Sequence, residues 1–144
     1  MATITSANST FHLAIPSIFP VPQRLEGYAV DDAFTTDSVE SAEVQMGVDG
    51  KLSAGFTPFV VKMTIAFQAD SPSIDLFDTW LNAMRSSKEV FRADGSIYLP
   101  AVKRLYTALN GYLTGGKVMP DSKKLLQPVQ YNISWEAILP AATV

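Results

Sequence analysis

Hydrophobic and polar positions alternate most regularly between Val39 and Ala69, and this stretch predicts a long β-hairpin spanning residues 39–69. In its second arm Phe59, Val61, Met63, Ile65 and Phe67 fall on one side, with Val60, Lys62, Thr64, Ala66 and Gln68 on the other. A period of two is the mark of a strand that buries one face. The first arm sets Ala42, Val44, Met46 and Val48 against Ser41, Glu43, Gln45 and Gly47. Between the arms, Asp49-Gly50 supplies a positive φ, and Gly55 and Pro58 bound the second arm, so residues 49–58 are expected to form a flexible tip.

The same reading places the remaining elements. Residues 1–10 are small and polar and predict an N-terminal arm without fixed structure. From Phe11 to Pro22 three prolines alternate with apolar residues, a pattern compatible with edge strands only. Leu25, Tyr28, Val30 and Phe34 predict a strand interrupted by Asp31-Asp32. Ser71-Pro72-Ser73 opens a helix running to Ser87, with serine as N-cap and proline at the first helical position. Ile74, Phe77, Trp80, Leu81 and Met84 form its apolar stripe, which is expected to cover a sheet. Glu89 to Leu99 reads as a short hairpin around Asp94-Gly95. Val102, Leu105, Tyr106 and Leu109 after Pro100 fit a helix stopped by Gly111, yet Leu105 to Leu113 also fits period two, and local pattern favours the helix. Met119 to Lys124 predicts a polar connection. The last strand sets Val129, Tyr131, Ile133, Trp135 and Ala137 on one face, and residues 139–144 form a short C-terminal arm.

Composition narrows the class. At 144 residues, 47% apolar and 17% charged, the chain reads as a single folded domain, 1–144, and not as a disordered one. No apolar run approaches the roughly 20 residues of a membrane span, and a soluble protein is expected. The chain has no cysteine, which rules out disulfides and thiolate metal sites. Net charge is −3, but residues 1–58 carry seven acids and two bases, whereas residues 59–144 carry nine bases and seven acids. Glu26 to Asp49 contains no base at all, which makes either a solvated acidic face or a surface that repels anions.

Candidate chemistry is sparse. The single His12 lacks partners for a metal site, no serine sits in a nucleophile elbow, and no glycine run forms a phosphate cradle. Asp31 and Asp32 would point to opposite faces of a strand. An enzyme is not expected, and neither cofactor nor metal is implied. Lys103-Arg104 and Lys123-Lys124 are too isolated to make a nucleic-acid patch.

Two blocks, Glu43 to Phe56 and Met119 to Pro128 continuing into Tyr131 to Glu136, together with Asn110-Gly111-Tyr112-Leu113, resemble the inner tail-tube proteins of contractile-tailed bacteriophages. The resemblance implies a mainly β fold with one flanking α-helix, a β-barrel or β-sandwich of the tail-tube type. It also implies that Leu105 to Leu113 is a strand. By the same resemblance the chain forms homo-hexameric rings stacked into a tube in the virion tail, after assembly in the host cytoplasm. Its partners would be other copies of itself, the tail sheath protein and baseplate or tail-terminator proteins, with DNA passing through without specific binding and no membrane. Candidate interface residues lie at the hairpin tip: Val48, Asp49, Gly50, Lys51, Leu52 and Phe56. Lumen candidates are Glu40, Glu43 and Gln45. Alternative readings are the tube of a phage-tail-like bacteriocin or secretion apparatus, and a monomeric β-barrel binding module.

Overall fold

The computed structural model describes residues 9–26 and 34–142. In chain order the elements are β1 (Thr10–Ile15), β2 (Phe19–Arg24), β3 (Phe34–Thr36), β4 (Ala42–Met46), β5 (Leu52–Phe56) and β6 (Val61–Phe67). They continue with α1 (Ile74–Ser87), β7 (Ala93–Leu99), β8 (Arg104–Gly116) and β9 (Val129–Ala142). Seven strands form one antiparallel sheet in the order β2-β1-β7-β8-β9-β6-β3, and β4 pairs with β5 in a separate ribbon. The fold is mainly β with a single helix among the described residues, as expected. Among the described residues the sheet curls without closing into a hydrogen-bonded barrel, because β2 and β3 remain its edges.

Alternation fixes which face of each strand is buried. Phe11, Leu13 and Ile15 of β1, Met63, Ile65 and Phe67 of β6, and Val129, Tyr131, Ile133 and Trp135 of β9 are buried together. The expected edge holds for the proline half of the Phe11–Pro22 segment, since β2 is an edge strand; β1 lies inside the sheet between β2 and β7. Pro20 and Pro22 lack the N–H that an inner strand would need.

The helix docks across one end of the sheet. Phe77 stacks on Tyr131 with ring centroids 4.5 Å apart and meets Phe67 at 5.4 Å. Trp80 is fully buried and its indole N–H donates to the Phe91 carbonyl at 3.2 Å. Leu76 is buried beside them, outside the predicted stripe, while Ile74, Leu81 and Met84 pack at the margin of the core. The predicted cap is corrected: α1 begins at Ile74 after Ser73, so Pro72 precedes the cap and does not hold the first helical position. Ser73 takes the cap position without a side-chain cap bond, because its hydroxyl accepts the Glu26 N–H at 2.7 Å. The Ser71 hydroxyl donates to the Glu26 carbonyl and also accepts the Ser73 N–H, so the two serines tie the chain after β2 to the start of α1.

Three further expectations change. Asp94-Gly95 makes no hairpin and lies inside β7. A side chain at Gly95 would begin 3.1 Å from the Phe11 ring and 3.4 Å from that of Trp135, so glycine is there for close packing. Residues 104–116 are strand, as the family resemblance implied and against the local helix pattern. Hydrogen bonding to β7 on one side and β9 on the other outweighs helical spacing. The last strand runs on to Ala142, so residues 139–142 of the expected C-terminal arm pair with β8. Tyr28, Val30 and Asp31-Asp32 lie outside the described residues, as do residues 1–8 of the expected N-terminal arm.

Candidate assembly surface

The hairpin is shorter than residues 39–69, and its second arm is a different strand. β4 pairs with β5, whereas β6, the arm with the stronger alternation, belongs to the main sheet between β3 and β9. The tip is the turn Gly47 to Lys51, closed by Gly47 N–H to Lys51 O at 2.8 Å and Gly50 N–H to Gly47 O at 3.0 Å. Gly50 holds φ at 84°, and the Asp49 carboxylate accepts the Lys51 N–H at 3.1 Å. An Asp-Gly turn is thus in the predicted place, while Leu52 to Phe56 of the supposed tip forms β5.

Pairing sorts this ribbon into two faces. Ala42 lies opposite Phe56, Val44 opposite Ala54 and Met46 opposite Leu52, which gathers every large apolar side chain of the two strands on one face. Glu43 lies opposite Gly55 and Gln45 opposite Ser53 on the other. The apolar face has no cover: Phe56 is 76% exposed and Leu52 60%, and Val44, Met46 and Val48 are exposed as well. The Phe56 ring meets that of Phe59 at 6.2 Å, at the base of the hairpin. A two-stranded ribbon by itself is marginal in water, and an apolar face of this kind on a projecting element marks an interaction site.

Among the expected site residues, the structure therefore brings Leu52 and Phe56 onto one face with Val44 and Met46, and sets Val48, Asp49, Gly50 and Lys51 in the turn. Glu43 and Gln45 share the polar face, whereas Glu40 precedes β4 and belongs to no ladder pair.

A second exposed surface was not anticipated. The segment 117–128, which contains the expected polar connection Met119 to Lys124, presents Val118, Met119, Leu125 and Leu126 to solvent. Its shape is set internally: the Lys117 ammonium donates to the Asp121 carboxylate at 2.6 Å, and the Gln127 N–H donates to the Asp121 carbonyl at 3.0 Å. The hydrogen bond and charge of Lys117 hold the Asp121 carboxyl below the usual carboxylate range. Val118 and the side of α1 bearing Asp78, Leu81, Met84 and Arg85 line a cleft of about 550 Å³. Burial, reinforced by Asp75, pushes the Asp78 carboxyl up. Val118, Met119, Leu125 and Leu126 within ten residues were the available signal, outweighed in the sequence by the prolines and lysines around them.

The mainly β, single-helix fold is shared with tail proteins of phage-like contractile systems. Chains with the same fold occur in the anti-feeding prophage cap, described as a tube-terminating cap (TM-score 0.61, 11% identity, covering 99% of this chain and 93% of that one). Another occurs in the anti-feeding prophage baseplate (TM-score 0.58, 12% identity, 99% and 98% coverage), and one in the sheath-tube complex of an extracellular contractile injection system (TM-score 0.53, 11% identity, 92% and 88%). No curated protein matches the sequence. Residues 2–139 match the family of tail fiber protein gp32, and the chain belongs to that family of tail proteins.

Proposed function

We propose that the chain is a structural tail protein that assembles as stacked hexameric rings into the inner tube of a phage tail, the conduit for DNA delivery. The observation that carries this reading is the hairpin with one bare apolar face, which a subunit working alone would have no reason to keep exposed. Heterologous contacts of this sort close into rings or continue as stacks. The fold shared with a tube-terminating cap and with a sixfold-symmetrised baseplate supports the tube and its sixfold order. The curled sheet serves as the barrel-like body of each subunit. Sheath, baseplate and terminator proteins are its partners in the tail, and assembly takes place in the host cytoplasm. The polar face with Glu43 and Gln45 lines the lumen, where carboxylates keep DNA from the salt-dependent binding that Lys or Arg would create. The protein has no catalytic role. A tube of a bacteriocin or secretion apparatus would use the same surfaces and differ in cargo.

One observation favours the monomeric binding module as a second reading. Phe34, Val61, Met63, Ile97, Tyr106 and Ile138 line an apolar cleft of about 540 Å³ at the end of the curled sheet away from α1.

Negative-stain microscopy and light scattering of the purified chain separate the two. Rings or tubes support the structural reading, and a monomer at every concentration supports the binding module. Deleting Lys51 to Ala54 should leave a folded, soluble subunit that no longer polymerises, because the hairpin shares no ladder with the main sheet. Normal tubes from that variant would remove the hairpin from the interface.

A further inference from the structure

We propose that the apolar face of the β4–β5 hairpin seats in the groove between α1 and the 117–128 segment of the next copy of this chain. The inference rests on the tube reading and identifies the surface that receives the hairpin.

The first argument is position. β6 spans the sheet with Val61 opposite Trp135 at one end and Phe67 opposite Val129 at the other. The hairpin joins β6 just before Val61, whereas the 117–128 segment ends where β9 starts at Val129. The two surfaces thus leave opposite ends of β6, about 20 Å apart at roughly 3.3 Å per residue. A contact between opposite ends of identical subunits is heterologous and repeats along one axis, which is what a stack requires.

The second argument is chemistry. Each surface is apolar and uncovered: Val44, Met46 and Leu52 on the hairpin, and Val118 with Leu125 and Leu126 on the segment. In the groove, Leu81 and Met84 of α1 continue the apolar floor from Val118. The charges around them are opposite. Residues 34–57 carry Asp37, Glu40, Glu43 and Asp49 against Lys51 alone, whereas residues 117–128 carry Lys117, Lys123 and Lys124 against Asp121, and the α1 side of the groove adds one charge of each sign, Arg85 and Asp78. Complementary charge of this kind fixes orientation and disfavours like surfaces meeting. Hairpin on hairpin would set acid against acid and segment on segment base against base, so head-to-tail pairing is the arrangement in which both apolar faces are covered without repulsion. With the apolar face so engaged, Glu43 and Gln45 on its reverse stay free to face the channel.

The absence of cysteine makes the test direct. Two pairs of single-cysteine chains are prepared: Leu52→Cys with Val118→Cys, and Met46→Cys with Leu125→Cys. Each pair is mixed, allowed to assemble and treated with a bis-maleimide reagent. Covalent dimers in the mixtures and none from either variant alone are expected. Intact tubes in which neither mixture yields dimers, or in which single variants link to themselves as readily, overturn this pairing and leave the tube reading standing. A wild-type chain that stays monomeric at all concentrations overturns both.

Discussion

Phe11 and Phe34 meet edge to face, with ring centroids 5.7 Å apart and planes at 89°, although β1 and β3 are separated by four strands in the sheet. The sheet therefore curls until its two ends touch through side chains, where no strand ladder among the described residues joins them. Buried packing takes the place of a closing ladder, and β2 lies outside the seam as an overhanging edge.

If the seam depends on that aromatic pair, Phe34→Leu should keep most of the apolar area and lose about 0.5–1.5 kcal/mol, the part of an edge-to-face pair that exceeds burial. Urea unfolding of the two proteins measures the difference. Equal midpoints would mean that the ends of the sheet are held together elsewhere.

Phe77 makes the opposite case, a ring with no exposure that contacts Phe67, Trp80 and Tyr131 at once. Phe77→Ala should cost roughly 3–5 kcal/mol, the range for removing a buried aromatic side chain. An unchanged melting temperature would show that α1 does not anchor the core through this face.

What could be read in the sequence follows how locally each feature is encoded. The alternation of β6 and of β9 as far as Trp135, and the apolar stripe of α1, were legible because the predicted face of each packs into or against the core. The phase of β8 was not. Between the pairs Gly95–Ala108 and Ala93–Gly111, β8 contains one residue more than β7, a bulge at which Asn110 takes φ of 48°. Ala108 is buried before the bulge and Gly111 and Leu113 after it, so no single alternation runs from Leu105 to Leu113. The same step reaches β9, where Ile138 packs on the core after Trp135 in place of the expected Ala137. Gly111 itself is required, since a side chain there would begin 2.4 Å from the Trp135 ring. The hairpin was misread for a related reason: β5, Leu52-Ser53-Ala54-Gly55-Phe56, alternates more weakly than β6, and only pairing shows that it is the true partner of β4. Among site residues, the Asp49-Gly50 turn was legible from its chemistry, whereas the groove at Val118 depends on α1 and β9 meeting in space.

Tyr131 carries a prediction at high pH. Its side chain is fully buried, its hydroxyl has no hydrogen-bond partner among the described residues, and burial first, then Asp78, pushes its pKa from 10.0 up to about 12. The folded state therefore holds this proton more tightly than the unfolded chain. The associated stability is whole below pH 10 and is lost as pH rises from 10 through 12, a difference of about 2–3 kcal/mol at roughly 1.36 kcal/mol per unit. Tyr131→Phe removes a hydroxyl that is buried without a partner, so at pH 7 it should be neutral or stabilising. Between pH 10 and 12 its margin over the parent should widen. Parallel loss of stability in the two proteins across that range would place the alkaline transition on other groups.

The lumenal assignment of the hairpin's polar face is open to a test by charge. Glu43 is exposed opposite Gly55, so exchanging its side chain disturbs no packing in the subunit. In a sixfold ring each lumenal carboxylate is repeated six times per layer, and one per subunit already makes a negative wall. Screening over about 8 Å at physiological salt confines its effect to DNA near that wall, as in a narrow channel. Glu43→Lys would convert each site into a phosphate contact whose strength falls with added salt. Fold and ring should survive, since Glu43 forms none of the apolar face. Genome ejection by particles carrying Glu43→Lys should be slower than parental ejection at low salt and recover as salt is raised. Parental rates at low and high salt alike, from particles of normal appearance, would take Glu43 off the channel surface and turn the polar face of the hairpin outward.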